Sequence, residues 1–465
     1  MISFSRKFKV DVRVILHSSS KTMMKLVSSF ALFLVCSTVA ADEFENDKLN
    51  NWHHWRGPIA DGSAPKADPP IRWDAKTNIK WKVELPGRGS ATPVVWGEKI
   101  FVLSAVKTDR LAKASEIPKP DPKFQTKTEP PTNFYKFIVL CIDRGTGKLI
   151  WEKTAAERVP HEGHHETHSY AAGSPTTDGT FLYASFGSFG TYCYDLDGNL
   201  IWSRDLGLLH TRLGWGEAVT PVISGDSLLL NYDQETDSAL YCLDAGTGQT
   251  RWVAKRDEKT SWNTPLIAEH AGKKQVITNG TNRIRSHDFA TGELIWSCGG
   301  MTVNAIPSPL RYHDAAICVS GYRGALALSI PLSSTGDLGD KGKVNWRYGA
   351  GTPYVPSPVL VGDKLYFTAS NDPLLTVLDA KTGKPIFEKE RLPQLKTFYA
   401  SPVTAAGRVY FVDRNGTTAI LMAGETPEVL AVNKLDDSID ASPVLVGKQL
   451  ILRSERALYC IEEKK

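Results

Sequence analysis

The sequence predicts an all-β protein: an eight-bladed β-propeller whose last blade is closed by a strand from near the N-terminus. Three observations carry this. From residue 78 onward a pattern returns about every 45 residues, a period typical of propellers and solenoids. A Ser/Thr-Pro dipeptide opens an apolar run eight times, at Thr92, Ser174, Thr220, Thr264, Ser308, Ser357, Ser401 and Ser442. The last unit stops before its tryptophan strand, while Asn78-Ile-Lys-Trp81-Lys reads like the missing piece, Lys148-Leu-Ile-Trp151-Glu. A solenoid needs a cap at each end, whereas a ring finishes its last unit with its first strand and removes the open edges.

Each unit ends in a hairpin. Phe137 to Lys153 is the clearest: two apolar, β-rich runs flank Asp-x-Gly-Thr-Gly, where glycine supplies the positive φ of a tight turn. A glycine four residues before an aromatic recurs at Gly147/Trp151, Gly198/Trp202, Gly248/Trp252, Gly292/Trp296, Gly342/Trp346 and Gly383/Phe387. The seventh unit has lost it. The predicted docking residues are therefore Trp81, Trp151, Trp202, Trp252, Trp296, Trp346 and Phe387.

Three segments result: 1–41, 42–77 and 78–465. The first has six Lys/Arg and one acid, then an apolar run from Leu26 to Val35 and small residues to Ala41, the pattern of a cleaved secretory signal. Met23 and Met24 are alternative starts. Val35 before Cys36 speaks against a lipid anchor there, and the apolar run is too short to span a bilayer. Without this leader the chain has 49 basic and 50 acidic residues, so nothing indicates nucleic-acid binding. The expected location is secreted or periplasmic, with no transmembrane span after signal removal. Residues 42–77, with Trp52, Trp55 and Trp73 among turn formers, read as an extended arm whose aromatics plug into the body. Of six remaining cysteines, Cys141, Cys193, Cys242 and Cys460 share one slot of successive repeats. Equivalent slots lie too far apart to bridge, so they read as buried, unpaired thiols.

Asp244-Ala-Gly-Thr-Gly-Gln-Thr-Arg-Trp252 and Asp288-Phe-Ala-Thr-Gly-Glu-Leu-Ile-Trp296 resemble the tryptophan-docking repeat of pyrroloquinoline-quinone (PQQ)-type propellers, and the resemblance covers nearly everything after residue 78. Two relatives share that architecture: quinoprotein alcohol dehydrogenases and the non-catalytic outer-membrane assembly lipoprotein. The resemblance implies either a ligand- or protein-binding scaffold or a dehydrogenase using PQQ and Ca²⁺. The dehydrogenases use Glu and Asn ligands, an Asp base and, in many, adjacent cysteines; Glu217, Asn263 and Asp440 are of the right types, but no two cysteines here are adjacent. Cofactor and catalytic residues are left unassigned, and the expected partner is a protein or a small polar ligand.

Blade topology sorts the insertions. Residues 106–135, inside blade 1, and 154–172, leading into blade 2, should decorate one face, and the insertion Pro331 to Gly342 the other. Residues just before the Ser/Thr-Pro dipeptides should ring the channel mouth: Arg88, His168, Tyr170, Trp215, Glu217, Trp262, Asn263, Asn304, Tyr354, Tyr399 and Asp440. Such a funnel suits a polar planar or sugar-like ligand. The segment before blade 2 also holds His161, His164, His165 and His168; His161/His165 and His164/His168 are each four apart, which on a helical turn would point each pair to one side, and with Glu162 or Glu166 they could hold zinc or copper, or the segment could form a solvated polar loop.

Overall fold

The computed structural model describes residues 44–119, 122–340 and 342–464. The proposed signal segment with Met23, Met24 and Cys36 lies outside the described residues, as do Asp42 and Glu43 of the arm. Residues from Lys48 onward form one compact unit. Among the described residues no helix is long and apolar enough to cross a membrane.

The strands form eight small sheets, antiparallel but for one added strand, five of them built from four strands consecutive along the chain. Blade 1 is Val94–Trp96, Lys99–Leu111, Asn133–Asp143 and Leu149–Arg158, running from the channel outward. Blade 8 takes Val444–Val446, Gln449–Arg453 and Ala457–Ile461 from the C-terminal end, and its outer strand is Ile79–Glu84. Trp81 pairs with Cys460 in that closure.

The Ser/Thr-Pro dipeptide has a physical reason. Each innermost strand is a sheet edge facing the channel, so the backbone donors on its channel side have no ladder partner. Proline removes one donor, and the hydroxyl of the next blade accepts another. The Thr92 N–H donates to Ser174 Oγ (2.9 Å), Ser174 to Thr220, Thr264 to Ser308, Ser308 to Ser357, Ser357 to Ser401, Ser401 to Ser442, and Ser442 back to Thr92 Oγ1 (3.1 Å). These bonds step from blade to blade and cross the seam where the two ends of the chain meet.

The outer rim is joined by the tryptophans. Each indole lies on the turn glycine of the following blade: a methyl on Gly147 would come 2.7 Å from the Trp81 ring, and one on Gly248 2.7 Å from Trp202. Each indole N–H donates to a carbonyl of that turn: Trp81 to Arg144, Trp151 to Leu196, Trp202 to Ala245, Trp252 to Phe289 and Trp346 to Ala380. Trp296 departs from the rule. Its N–H donates to Gln275 Oε1 within its own blade, because blade 5 has an insertion where the turn would be. Residues Gly336–Asp337 of that insertion pair in parallel beside Trp296 as a fifth strand of blade 4. At blade 7 the turn is held by the Tyr366 hydroxyl, which bonds both the N–H and the carbonyl of Gly424 at 3.0 Å, while Phe387 packs beside it half-buried.

The arm crosses the channel. Trp52 is fully buried and exchanges backbone hydrogen bonds with Val95 of blade 1. The His53 carbonyl accepts from Thr176 Oγ1 and the Thr177 N–H of blade 2. Arg56, 1% exposed, donates to the Pro358 and Pro402 carbonyls of blades 6 and 7. Ala64 donates to Thr404, and Asp68 meets Gly447, Arg408 and Lys448. Trp73 then packs with Val446 and Leu450, beside blade 7's outer strand, where the repeat has no aromatic of its own. The six cysteines among the described residues are buried and unpaired, and burial raises the thiols, Cys141 and Cys460 to about 12.

Truncating Trp202 to alanine is expected to cost about 3–5 kcal/mol in chemical denaturation, and deleting residues 78–87 should expose strand edges and yield aggregated protein by size exclusion. The arm gives a pH prediction. Burial first, then His53 and Arg56, holds the His54 imidazole down at about 3. The unfolded chain therefore binds a proton below about 6.5 that the folded chain refuses, so stability is complete above that pH and falls as the solution is acidified. A loss of roughly 2–3 kcal/mol from this residue is expected at about pH 4.5, and His54→Asn should remove it in melts across pH.

Candidate functional site

The arm makes the channel blind. Its partners, Val95, Thr177 and Thr404, all lie beyond the Ser/Thr-Pro dipeptides, so it fills the far end and leaves the mouth open. The remaining cavity has a volume of about 410 Å³. Trp55 sits at its inner end, hydroxyls of Thr92, Ser174, Thr220, Thr264, Ser357, Ser401 and Ser442 form its wall, and aromatics surround its upper part. Each collar hydroxyl that accepts a backbone N–H still has its own proton to donate.

Six of the residues predicted to ring the mouth line this cavity: His168, Trp215, Trp262, Tyr354, Tyr399 and Asp440. Their positions are fixed by bonds behind them. The Trp262 indole donates to the Gly216 carbonyl (2.8 Å), Tyr354 stacks on Tyr322 at 4.6 Å, and Tyr399 lies under the Arg414 guanidinium at 4.2 Å. Arg414 also holds Asp440 through two hydrogen bonds, 2.6 and 3.1 Å. Arg88 lies in an adjoining recess and pairs with Glu455 at 2.9 Å.

The other four are elsewhere. Asn263 is buried: its amide donates to Ser261 Oγ and the Asn279 carbonyl, and its Oδ1 accepts the Asn279 N–H. Asn304 is also buried, with φ of +58°, and donates weakly to the Tyr354 hydroxyl (3.4 Å). Tyr170 and Glu217 line a small separate pocket between blades 2 and 3. Burial pushes the Glu217 carboxyl up to about 8 against the lowering effect of Ser188, whose N–H and hydroxyl donate to its two oxygens.

Sequence reasoning missed Trp55, Thr167, Tyr322 and the collar hydroxyls as cavity residues. Tyr322 follows the second strand of blade 5, so the rule that sorted the insertions could have found it. The collar was visible only as a fold marker.

The histidine segment has no helical turn; it is a run of bends and turns from His161 to Tyr170. Without the helix, the spacing of four does not pair His161 with His165. His164 and His168 do sit near each other, ring centroids 6.4 Å apart. His164 Nδ1 contacts the His165 carbonyl, and His165 Nδ1 contacts Thr167 Oγ1. Burial lowers His168 to about 4, and it is therefore neutral at pH 7. Thr167 Oγ1 reaches the Tyr399 hydroxyl at 3.2 Å, so the segment leading into blade 2 arches over the mouth to blade 7. Both insertions meet on this face: Thr126 bridges Leu213, Thr128 Oγ1 donates to Gly214, and Tyr135 packs edge-on to Tyr170.

Eight blades, most of them joined by docked tryptophans, around a mouth-facing cavity define a PQQ-like repeat propeller. The chain belongs to the family described as outer membrane protein assembly factor BamB, whose profile matches residues 136–338 and 339–465. No curated protein matches the sequence. Among solved structures, quinohemoprotein alcohol dehydrogenase from Comamonas testosteroni is similar at 10% identity, over 92% of this chain and 84% of that one, with a TM-score of 0.60. BamB from Moraxella catarrhalis is similar at 14% identity, over 78% and 98%, with a TM-score of 0.49. At 10% identity the likeness to the dehydrogenase speaks to the fold alone.

The quinone–calcium chemistry of such dehydrogenases does not fit the residues at this mouth. Asn263 has its amide oxygen committed to Asn279 and does not line the cavity, both Glu217 oxygens are held by Ser188, and Asp440 is clamped by Arg414. These carboxylates and amides serve their neighbours and leave no convergent oxygen set for a hard cation.

The arch predicts a measurable effect. Tyr399→Phe removes its hydroxyl contact with Thr167 and should leave the fold intact, with a loss of about 0.5–1.5 kcal/mol. Amide exchange should quicken across residues 161–170.

Proposed function

We propose that this protein is a binding propeller acting outside the cytoplasm, whose channel-mouth face receives a small polar ring-bearing ligand or a projecting segment of a protein partner. The supporting observation is the blind cavity: indole and phenol faces on its sides, an indole at its inner end, and a collar of hydroxyls between them. Aromatic faces stack on planar or sugar rings, while collar protons serve polar edges. A cavity of about 410 Å³ holds one such group. Location outside the cytoplasm rests on the charged, apolar and small-residue order of residues 1–41 and on the outer-membrane role in the family's name. The BamB resemblance supports a protein partner.

The runner-up is a PQQ- and Ca²⁺-dependent dehydrogenase, which the committed oxygens of Asn263 and Glu217 disfavour. Indole fluorescence of the purified chain, titrated with PQQ plus Ca²⁺ and separately with a panel of oligosaccharides and short aromatic peptides, discriminates the two. The expected result is saturable quenching by a member of the panel that Trp215→Ala and Trp262→Ala each weaken about five- to tenfold, the effect of losing one stacking contact of about 1–1.5 kcal/mol. Stoichiometric quinone binding with alcohol-dependent dye reduction would replace the binding reading with the enzymatic one.

A further inference from the structure

Outside the cavity, three side chains come together that only partly overlap the histidine segment. One ring nitrogen of His161, one carboxylate oxygen of Glu162 and one ring nitrogen of His210 lie within 4.8 Å of one another; among the described residues this is the group of three or more His, Cys, Asp or Glu with ligand atoms so placed. His161 and Glu162 come from the segment leading into blade 2, and His210 from the segment leading into blade 3.

Each is oriented from behind in the way metal ligands are. The His161 Nε2–H donates to the Leu209 carbonyl at 2.9 Å, since a carbonyl can only accept. This fixes the tautomer and leaves Nδ1 with a bare lone pair, and Nδ1 has no hydrogen-bond partner although the side chain is only 7% exposed. Glu162 Oε2 accepts from the Thr211 N–H (3.1 Å) and hydroxyl (2.9 Å), which turns Oε1 toward His210 Nδ1 at 3.1 Å. The His210 ring is stacked under Phe124 of the blade 1 insertion, centroids 4.7 Å apart. A histidine donating its second N–H to a carbonyl and a carboxylate held by a hydroxyl are the usual outer partners of a metal site.

We infer that His161, Glu162 and His210 bind a divalent borderline cation, zinc by preference. Two imidazoles and one carboxylate form a set that suits zinc with a fourth position left to water. Ligands of a tetrahedral zinc stand about 3.3–3.6 Å apart, so shifts of about 1 Å close the set. Water reaches the ion through a cleft of about 60 Å³ that the two ligand-bearing segments share with Phe124, Thr126 and Thr128 of the blade 1 insertion. The ion accepts the His161 Nδ1 lone pair and takes the place of the proton between His210 and Glu162, which moves to His210 Nε2 or to solvent. It thereby ties the segments before blades 2 and 3 together under the blade 1 insertion. His164, His165 and His168 have no part in it.

The test uses the full chain without its leader, stripped with EDTA and titrated with ZnCl₂ by calorimetry and with Co²⁺ by visible absorption. One equivalent of zinc should bind, and Co²⁺ should give the intense bands of a four-coordinate site. His161→Gln with His210→Gln should abolish both, Thr211→Val should weaken zinc roughly 10–100-fold, and His164→Gln with His165→Gln should change neither. Thr211→Val keeps all three ligands, so it reads the site even if the double ligand variant fails to fold. Folded wild-type chain that takes up no zinc overturns the inference, as does uptake that survives the His161/His210 pair or disappears with the His164/His165 pair.

Discussion

The structure depends on hydroxyl-to-backbone bonds that pass from blade to blade around the channel. A four-stranded blade satisfies its own ladder but leaves its innermost edge bare, and eight such edges converge around the channel. Proline deletes one donor from each edge and, in every step but that from Thr220 to Thr264, the neighbour's serine or threonine accepts another, so the dipeptide that opens a blade also welds it to the next. The bond from Ser442 back to Thr92 makes the collar indifferent to where the chain begins. Strand pairing of Ile79–Glu84 with Ala457–Ile461 closes the rim in the same sense.

The two ends of each blade thus have different duties. Outside, indoles on glycine turns pack blade against blade by apolar area and one indole hydrogen bond each. Inside, the collar leaves a tube, and the arm converts the tube into a cavity by filling the far end with Trp52, His54, Arg56 and Trp55. Arg56 is costly there, since burial lowers its guanidinium to about 10, and it is tolerated because carbonyls of blades 6 and 7 and Asp61 accept from it. The mouth is shaped by the long insertions of blades 1 and 2, which contact the segment before blade 3 and arch toward blade 7.

Fold legibility and site legibility diverged for a physical reason. The repeat imposes the same local chemistry eight times, so Trp202 or Ser357 is recognisable from its neighbours in sequence. Mouth residues are each single occurrences on loops, where a shift of one position decides whether a side chain faces the channel or the protein. Trp262 and Asn263 are adjacent in sequence, yet one lines the cavity and the other is buried among Ser261 and Asn279. The same holds for the histidines. Spacing suggested helical pairs, but Gly163 and the surrounding turns put His161 with Glu162 and His210, 49 residues apart at Glu162 and Thr211, in place of its sequence neighbours.

Sequence alone determined the all-β class, the count of eight blades, the displaced closing strand and the unpaired cysteines, because each follows from periodicity or from a repeated slot. Tertiary structure alone decided that the channel is blind, that Trp55 ends it, that the fifth strand of blade 4 covers Trp296, and which polar side chains serve the frame and which face the cavity. These outcomes depend on contacts between segments hundreds of residues apart, such as Arg56 with Pro402, which no local pattern encodes.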